Sequence, residues 1–101
     1  MTRPIAISLG DPAGIGPEIV VRALAERPDA DVTVFGDVGV LARAAKVAGV
    51  AAPDGARVRT VTSLRPDEVT PGRPNDASGQ AQLAYLTAAV DAALAGEVAV
   101  R

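Results

Sequence analysis

The sequence predicts an α/β fold, a mostly parallel sheet with flanking helices, and three observations predict it. Short runs rich in β-branched residues alternate with longer runs whose apolar residues recur at helical spacing. The order is strand, helix, strand, helix, strand, helix and the start of a further strand, the alternation typical of a parallel layer with right-handed crossovers. Glycine and proline mark the joints: a cluster from Gly10 to Pro17, then Pro28, Gly49 and Gly96. The alternation leaves the strand order open.

The first run, Ile5-Ala-Ile-Ser-Leu9, places bulky apolar residues between small ones, as suits a strand buried on both faces. Gly10, Gly14 and Gly16 follow in a turn where positive φ or close backbone approach is available. Pro17 suits the first position of a helix, and Glu18 then lies in its first turn, favourably placed against the helix dipole. Pro28 stops that helix, and Glu26–Asp31 reads as a loop. Val32–Phe35 is the second strand, closed by Gly36. Asp37 is placed to cap the second helix; an acid at a strand tip can also bind a ligand, but capping preferences favour the cap. Val40, Leu41, Ala44, Ala45, Val47 and Ala48 form that helix's expected core face, and Gly49 ends it.

After a loop, Ala51–Ala56, the alternating run Arg57–Val61 reads as a strand with an exposed face or at a sheet edge. Thr62 to Asp76 carries Pro66, Pro71, Gly72 and Pro74 without either period, and is expected to be a solvated surface connection. Ser78 or Asp76 is the expected cap of a third helix ending near Ala95. Leu83, Leu86, Val90 and Leu94 form its apolar stripe, and its alanines permit close packing on a sheet. Tyr85 is expected to pack with its hydroxyl at the surface, and Asp91 to be solvated. Val98-Ala-Val100 opens a last strand.

Composition narrows the function. The 101 residues suit one modest domain, with a core built from Ala, Val, Leu and Ile because Phe35 and Tyr85 are the sole aromatics. Ten basic residues are scattered against twelve acidic ones, which gives no footprint for nucleic acid or an anionic membrane. Cysteine and histidine are both absent, which removes thiol chemistry, disulfides and the commonest general base and metal ligand. No signal-peptide core or bilayer-length apolar run is present, so the cytoplasm is the expected compartment and no membrane partner is expected.

The glycine- and proline-rich loop is neither G-x-G-x-x-G nor a P-loop, and its acids Asp11 and Glu18 argue against a phosphate cradle. Its local chemistry admits a tight strand-to-helix connection. Yet Gly10-Asp-Pro-Ala-Gly-Ile-Gly-Pro-Glu18, directly after a first strand, resembles the opening signature of the 4-hydroxythreonine-4-phosphate dehydrogenase family at all nine positions. The motif is also similar to the opening of isocitrate and isopropylmalate dehydrogenases, whose fold that family shares. Gly79 to Glu97 resembles the family helix that leads into its next central strand.

The resemblance implies that residues 1–101 are the N-terminal α/β segment of a longer, two-lobed, homodimeric subunit with its cleft between the lobes. It implies NAD as cofactor and 4-phosphohydroxy-L-threonine as substrate, oxidised and then decarboxylated in pyridoxal 5′-phosphate biosynthesis. A related 4-phosphothreonate or erythronate dehydrogenase is the alternative within the family, and a non-catalytic α/β binding module the alternative outside it. Asp11, Pro12, Ala13, Gly14, Ile15 and Gly16 are the residues expected at the cofactor. The family's divalent metal (Zn, Mg or Co) is held by histidines, so its ligands, like the catalytic residues, are expected beyond this chain, and the 101 residues alone are expected to be inactive. The stop at Arg101, about three residues into an apolar run, favours the segment over the free-standing module.

Overall fold

A computed structural model describes residues 3–65 and 67–100; Pro66 and the end of the chain at Arg101, both weighed above, lie outside the described residues. The elements are β1 (Ile5–Ser8), α1 (Gly16–Glu26), β2 (Val32–Gly36), α2 (Val38–Ala48), a single 3-10 turn (Gly55–Arg57), β3 (Val58–Thr60), α3 (Asp76–Leu94) and β4 (Ala99–Val100). All strand pairs are parallel, in the order β3-β2-β1-β4, with Ile5 opposite both Val32 and Ala99. β3 lies at an edge, as its polar alternation predicted.

Consecutive strand residues point to opposite faces, and β2 shows what each face holds. Val34 packs in a cluster with Val20, Val21 and Leu24 of α1 and Leu41 and Ala45 of α2. Phe35, its neighbour, packs with Ala89 and Ala92 of α3 and with Val98. The first two helices therefore cover one face and α3 the other. Arg59 reaches across the α3 face, its guanidinium 5.0 Å from the Phe35 ring centre and 2.9 Å from Glu97. The sheet grows one way through β2 and β3, then reverses to place β4 on the far side of β1.

Several expectations are corrected. Ile5 sits at the exposed start of β1, so burial on both faces holds only towards Leu9. Pro17 is the second residue of α1 and not the first, the helix opening at Gly16. Val47 is 76% exposed, because α2 turns only Val40, Leu41 and Ala45 fully inward. The cap of α3 is Asn75: its side chain accepts from Ser78 N while Ser78 Oγ accepts from Asn75 N, so Ser78 completes a capping box and Asp76 merely opens the helix. The face of α3 against the sheet is Ser78, Ala81, Tyr85, Ala89 and Ala92; Leu83, Leu86, Val90 and Leu94 all lie exposed. Small residues win the inward positions because they let the helix approach a sheet whose own residues supply the bulk.

Candidate functional site

The motif loop leaves the carboxyl end of β1, next to β4, where the strand order reverses. In open parallel sheets the crevice outside the carboxyl ends at such a reversal is the usual ligand site. Gly10 carries the loop away from the strand at φ 80°, a conformation that favours glycine. Asp11 then folds the chain back: its Oδ1 accepts from Ala13 N at 2.8 Å and its carbonyl from Gly14 N at 2.9 Å. Gly16 opens α1 against the strand it came from, where any Cβ would stand 2.5 Å from the Leu9 carbonyl oxygen. That position is closed by the protein's own backbone and not by a ligand.

The six expected cofactor residues divide. Pro12 and Ala13 are buried, Asp11 and Gly16 half-buried, and Gly14 and Ile15 exposed. Ile15 is 73% exposed at the tip of the loop, and Ile19 is exposed one turn further on. Ile15, the residue before α1, gives the helix no side-chain cap. A hollow of about 90 Å³ lies between Pro12, Gly14, Glu18, Arg43 and Pro71, room for a few waters and not for a nucleotide. A larger hollow, about 400 Å³ beside Leu24, Pro28 and Arg57, opens at the amino ends of β2 and β3, away from the motif loop.

The connection from Thr62 to Asp76 is solvated along most of its described length, as expected, but it also touches the motif loop. Val69 is 1% exposed, Gly72 N donates to the Ala13 carbonyl at 2.7 Å, and Ser78 Oγ stands 3.5 Å from Asp11 Oδ2. A second aspartate ties the connection down further. Asp37, 2% exposed, accepts from Gly39 N and Val40 N with Oδ1, the expected cap. Its Oδ2 accepts from Thr62 Oγ1 at 2.9 Å and Leu64 N at 2.7 Å. With four donors engaged, Asp37 has nothing left for a ligand.

Tyr85 completes this network and corrects a further expectation, since it is wholly buried, hydroxyl included. Its oxygen lies 2.7 Å from Thr62 Oγ1. The Thr62 proton goes to a carboxylate that can only accept, so Tyr85 donates to Thr62. Burial raises the phenol's pKa, and the nearby carboxylates of Asp37 and Asp11 push the same way; the Thr62 hydroxyl opposes this only if it turns its proton from Asp37 to the phenol oxygen. Sequence reasoning missed the Asp37–Thr62–Tyr85 chain because its members lie more than twenty positions apart. The one visible signal was a lone tyrosine among inward alanines. Among the described residues no three of His, Cys, Asp and Glu stand together to hold a metal ion.

A parallel sheet with a reversed strand order and a glycine-rich loop at the reversal defines an α/β protein of the doubly wound class. Comparison with known proteins narrows that class. No family model matches the chain. A 4-hydroxythreonine-4-phosphate dehydrogenase of Thermosynechococcus vestitus is 41% identical over 94% of this chain and 30% of its own length. A solved 4-hydroxythreonine-4-phosphate dehydrogenase from Burkholderia phymatum superposes with a TM-score of 0.77 at 29% identity, over 97% of this chain and 34% of its own. A terephthalate 1,2-cis-dihydrodiol dehydrogenase from Burkholderia xenovorans does so with a TM-score of 0.79 at 38% identity, over 99% of this chain and 33% of its own. In sequence and in fold the chain is thus the counterpart of about a third of a 4-hydroxythreonine-4-phosphate dehydrogenase, the family its motif resembles.

Proposed function

We propose that residues 1–101 are the N-terminal α/β segment of an NAD-dependent, metal-requiring dehydrogenase that oxidises 4-phosphohydroxy-L-threonine on the way to pyridoxal 5′-phosphate. The observation that carries this reading is the motif loop. It matches the family signature at nine positions and leaves β1 at the strand reversal, braced by Asp11 within and Gly72 from outside. Asp11 to Gly16 lines the inter-lobe cleft in this reading. The exposed backbone at Gly14 and the apolar tip at Ile15 offer a contact surface for the cofactor, with no phosphate cradle. NAD accepts the hydride when bound. This segment orients it, keeping Asp11 and the loop backbone fixed so that little ordering remains to be done on binding.

The metal belongs to ligands outside this chain, which has no histidine or cysteine. The working protein is a cytoplasmic homodimer acting on a phosphorylated small molecule, without nucleic-acid or membrane partners. Among the described residues no helix is long and apolar enough to cross a membrane. A second reading, oxidation of an unphosphorylated cis-dihydrodiol, is favoured by the 38% identity to the terephthalate dihydrodiol enzyme, above the 29% to the solved phosphohydroxythreonine enzyme. NADH formation by the full-length protein with added divalent metal separates the readings. Turnover is expected with 4-phosphohydroxy-L-threonine and not with its unphosphorylated form. Preference for phosphothreonate or for the dihydrodiol would replace the substrate, and turnover by the purified 101-residue chain would overturn the segment assignment.

A further inference from the structure

α3 is apolar on two sides. Its buried positions, Ser78, Ala81, Tyr85, Ala89 and Ala92, face the sheet. Leu83, Leu86, Val90 and Leu94 form a second stripe, from 42% to 83% exposed. At 3.6 residues per turn the centre of that stripe lies about 140° around the helix from the centre of the buried face, so it is a separate surface and not the fringe of the core. The spacing of 83, 86 and 90 is three then four, the seam by which one helix packs along another. Gly79 continues the seam at its amino end with a residue small enough for close approach. From Gly79 to Leu94 the helix carries a single charge, Asp91. The other two helices differ: α1 presents Arg22 and Glu26 outward and α2 presents Lys46. Gln80, Thr87 and Asp91 form a polar strip on the remaining side, so α3 has two distinct apolar faces and only one of them is covered by the sheet.

We propose that this stripe is the seat of a helix from the same polypeptide, supplied by the part of the subunit outside these 101 residues. The inference rests on the reading of the chain as a segment of a longer subunit. Two features of the molecule select that occupant. The solved neighbours overlay almost all of this chain with only about a third of their own, which leaves two thirds of a subunit to be placed around it. The reversal at β1 also puts α3 on the face opposite α1 and α2. Any strand added beyond β4 by a right-handed crossover brings its helix to that same face, beside α3. The seam lacks lysine and arginine, so an anionic surface has no purchase on it, and an apolar helix face is what it fits.

The test uses the full-length protein with Leu86 replaced by the photocrosslinker benzoylphenylalanine. On irradiation we expect a product that runs at the mass of one polypeptide, its cross-linked peptide mapping beyond residue 101. A product of doubled mass would assign the stripe to a second copy, and absence of any cross-link would leave it in solvent; either result overturns the proposal. Because benzoylphenylalanine is bulky, Leu86→Cys and Val90→Cys provide the second measurement, in a background freed of other cysteines. Maleimide should label them about a hundredfold more slowly in native buffer than in urea, as expected for groups reached only by opening. Native labelling near the urea rate would also overturn it. NADH formation by the same preparations tests the proposed reaction separately: a cross-link in a protein inert towards the phosphorylated hydroxythreonine keeps the helix seat and removes the reaction.

Discussion

The first two strand-to-helix junctions of this molecule use the same device and end in different states. After β1, Asp11 accepts from a backbone N–H two residues on; after β2, Asp37 does the same. Asp37 goes on to cap α2, holds Thr62 and Leu64, and is sealed from solvent. Asp11 engages one backbone donor closely and Ser78 only at 3.5 Å, caps no helix, and stays half-exposed beside a loop whose tip is bare. A carboxylate whose acceptor sites are all filled is structural. One held in place with acceptor capacity to spare, at the end of the sheet where open α/β folds usually bind ligands, is the one the proposed function would use. The second junction is the brace, and in the proposed function the first is the working surface.

The largest effect that would test this division is at Asp37. An asparagine there must turn its amide nitrogen towards either the α2 donors or Thr62 and Leu64, setting donor against donor in a buried site. A loss on the order of 3 kcal/mol of stability is expected from broken charge-assisted bonds and an opposed pair. Urea denaturation of the full-length variant measures it, and a near-neutral result would break the comparison. Gly16→Ala comes next. Its Cβ would stand 2.5 Å from the Leu9 carbonyl, so strand and helix must part, at about 2 kcal/mol for overpacking. The same denaturation experiment applies, and an alanine accommodated without loss would show the junction to be looser than its geometry.

How much of this was legible follows from which forces are local. The strands, the helices, the Asp37 cap and the Gly49 terminus, at φ 73°, were readable because each depends on residues within a turn of one another. The orientation of α3 was not. A stripe of Leu83, Leu86, Val90 and Leu94 and a stripe of alanines have the same period, and which one meets the sheet is decided by the bulk of Phe35 and Val98 waiting there. The brace on the motif loop was hidden for a similar reason. Gly72 and Ala13 are far apart in sequence, and the composition of Thr62 to Asp76, rightly read as solvated, does not show where that connection touches the loop. The candidate site was legible as a motif, but its support was not.

Gly14→Val addresses the working surface. Gly14 is exposed, and a Cβ there meets the Asp11 carbonyl at 3.3 Å, a contact that asks the loop to give by a few tenths of an ångström. With the fold largely kept, NAD affinity of the full-length enzyme is expected to fall about tenfold, equivalent to 1.4 kcal/mol. Normal affinity in a protein with a lowered Tm would make Gly14 a folding residue and remove it from the cleft. Tyr85→Phe touches the brace more gently. It deletes one donor while Thr62 keeps Asp37 as acceptor, for about 1 kcal/mol. The pH dependence has a definite sign. The folded pKa of Tyr85 is raised, so its contribution is full below the ordinary value of 10.0 and is lost as pH rises through the folded value. Stability of the wild type should therefore drop more steeply than that of Tyr85→Phe in alkaline titrations.

Asp11→Asn is expected to have the smallest effect on stability, and it sharpens the comparison most because it repeats the Asp37 substitution at the other junction. The asparagine oxygen can still accept from Ala13 N, the carbonyl of residue 11 still accepts from Gly14 N, and the amide nitrogen can turn towards Ser78 Oγ, which is able to accept. No donor is set against another, and the site is open to water. Stability should change by no more than about 0.5 kcal/mol, as for substitutions that keep their hydrogen bonds. Activity of the full-length enzyme then discriminates. If Asp11 only shapes the turn, kcat and KM for NAD stay near the wild-type values. If its charge faces the cofactor or substrate, KM or kcat shifts while the melting curve does not. A loss of stability as large as that at Asp37 would refute the division itself, because it would show that Asp11 holds the fold together as firmly as its counterpart does.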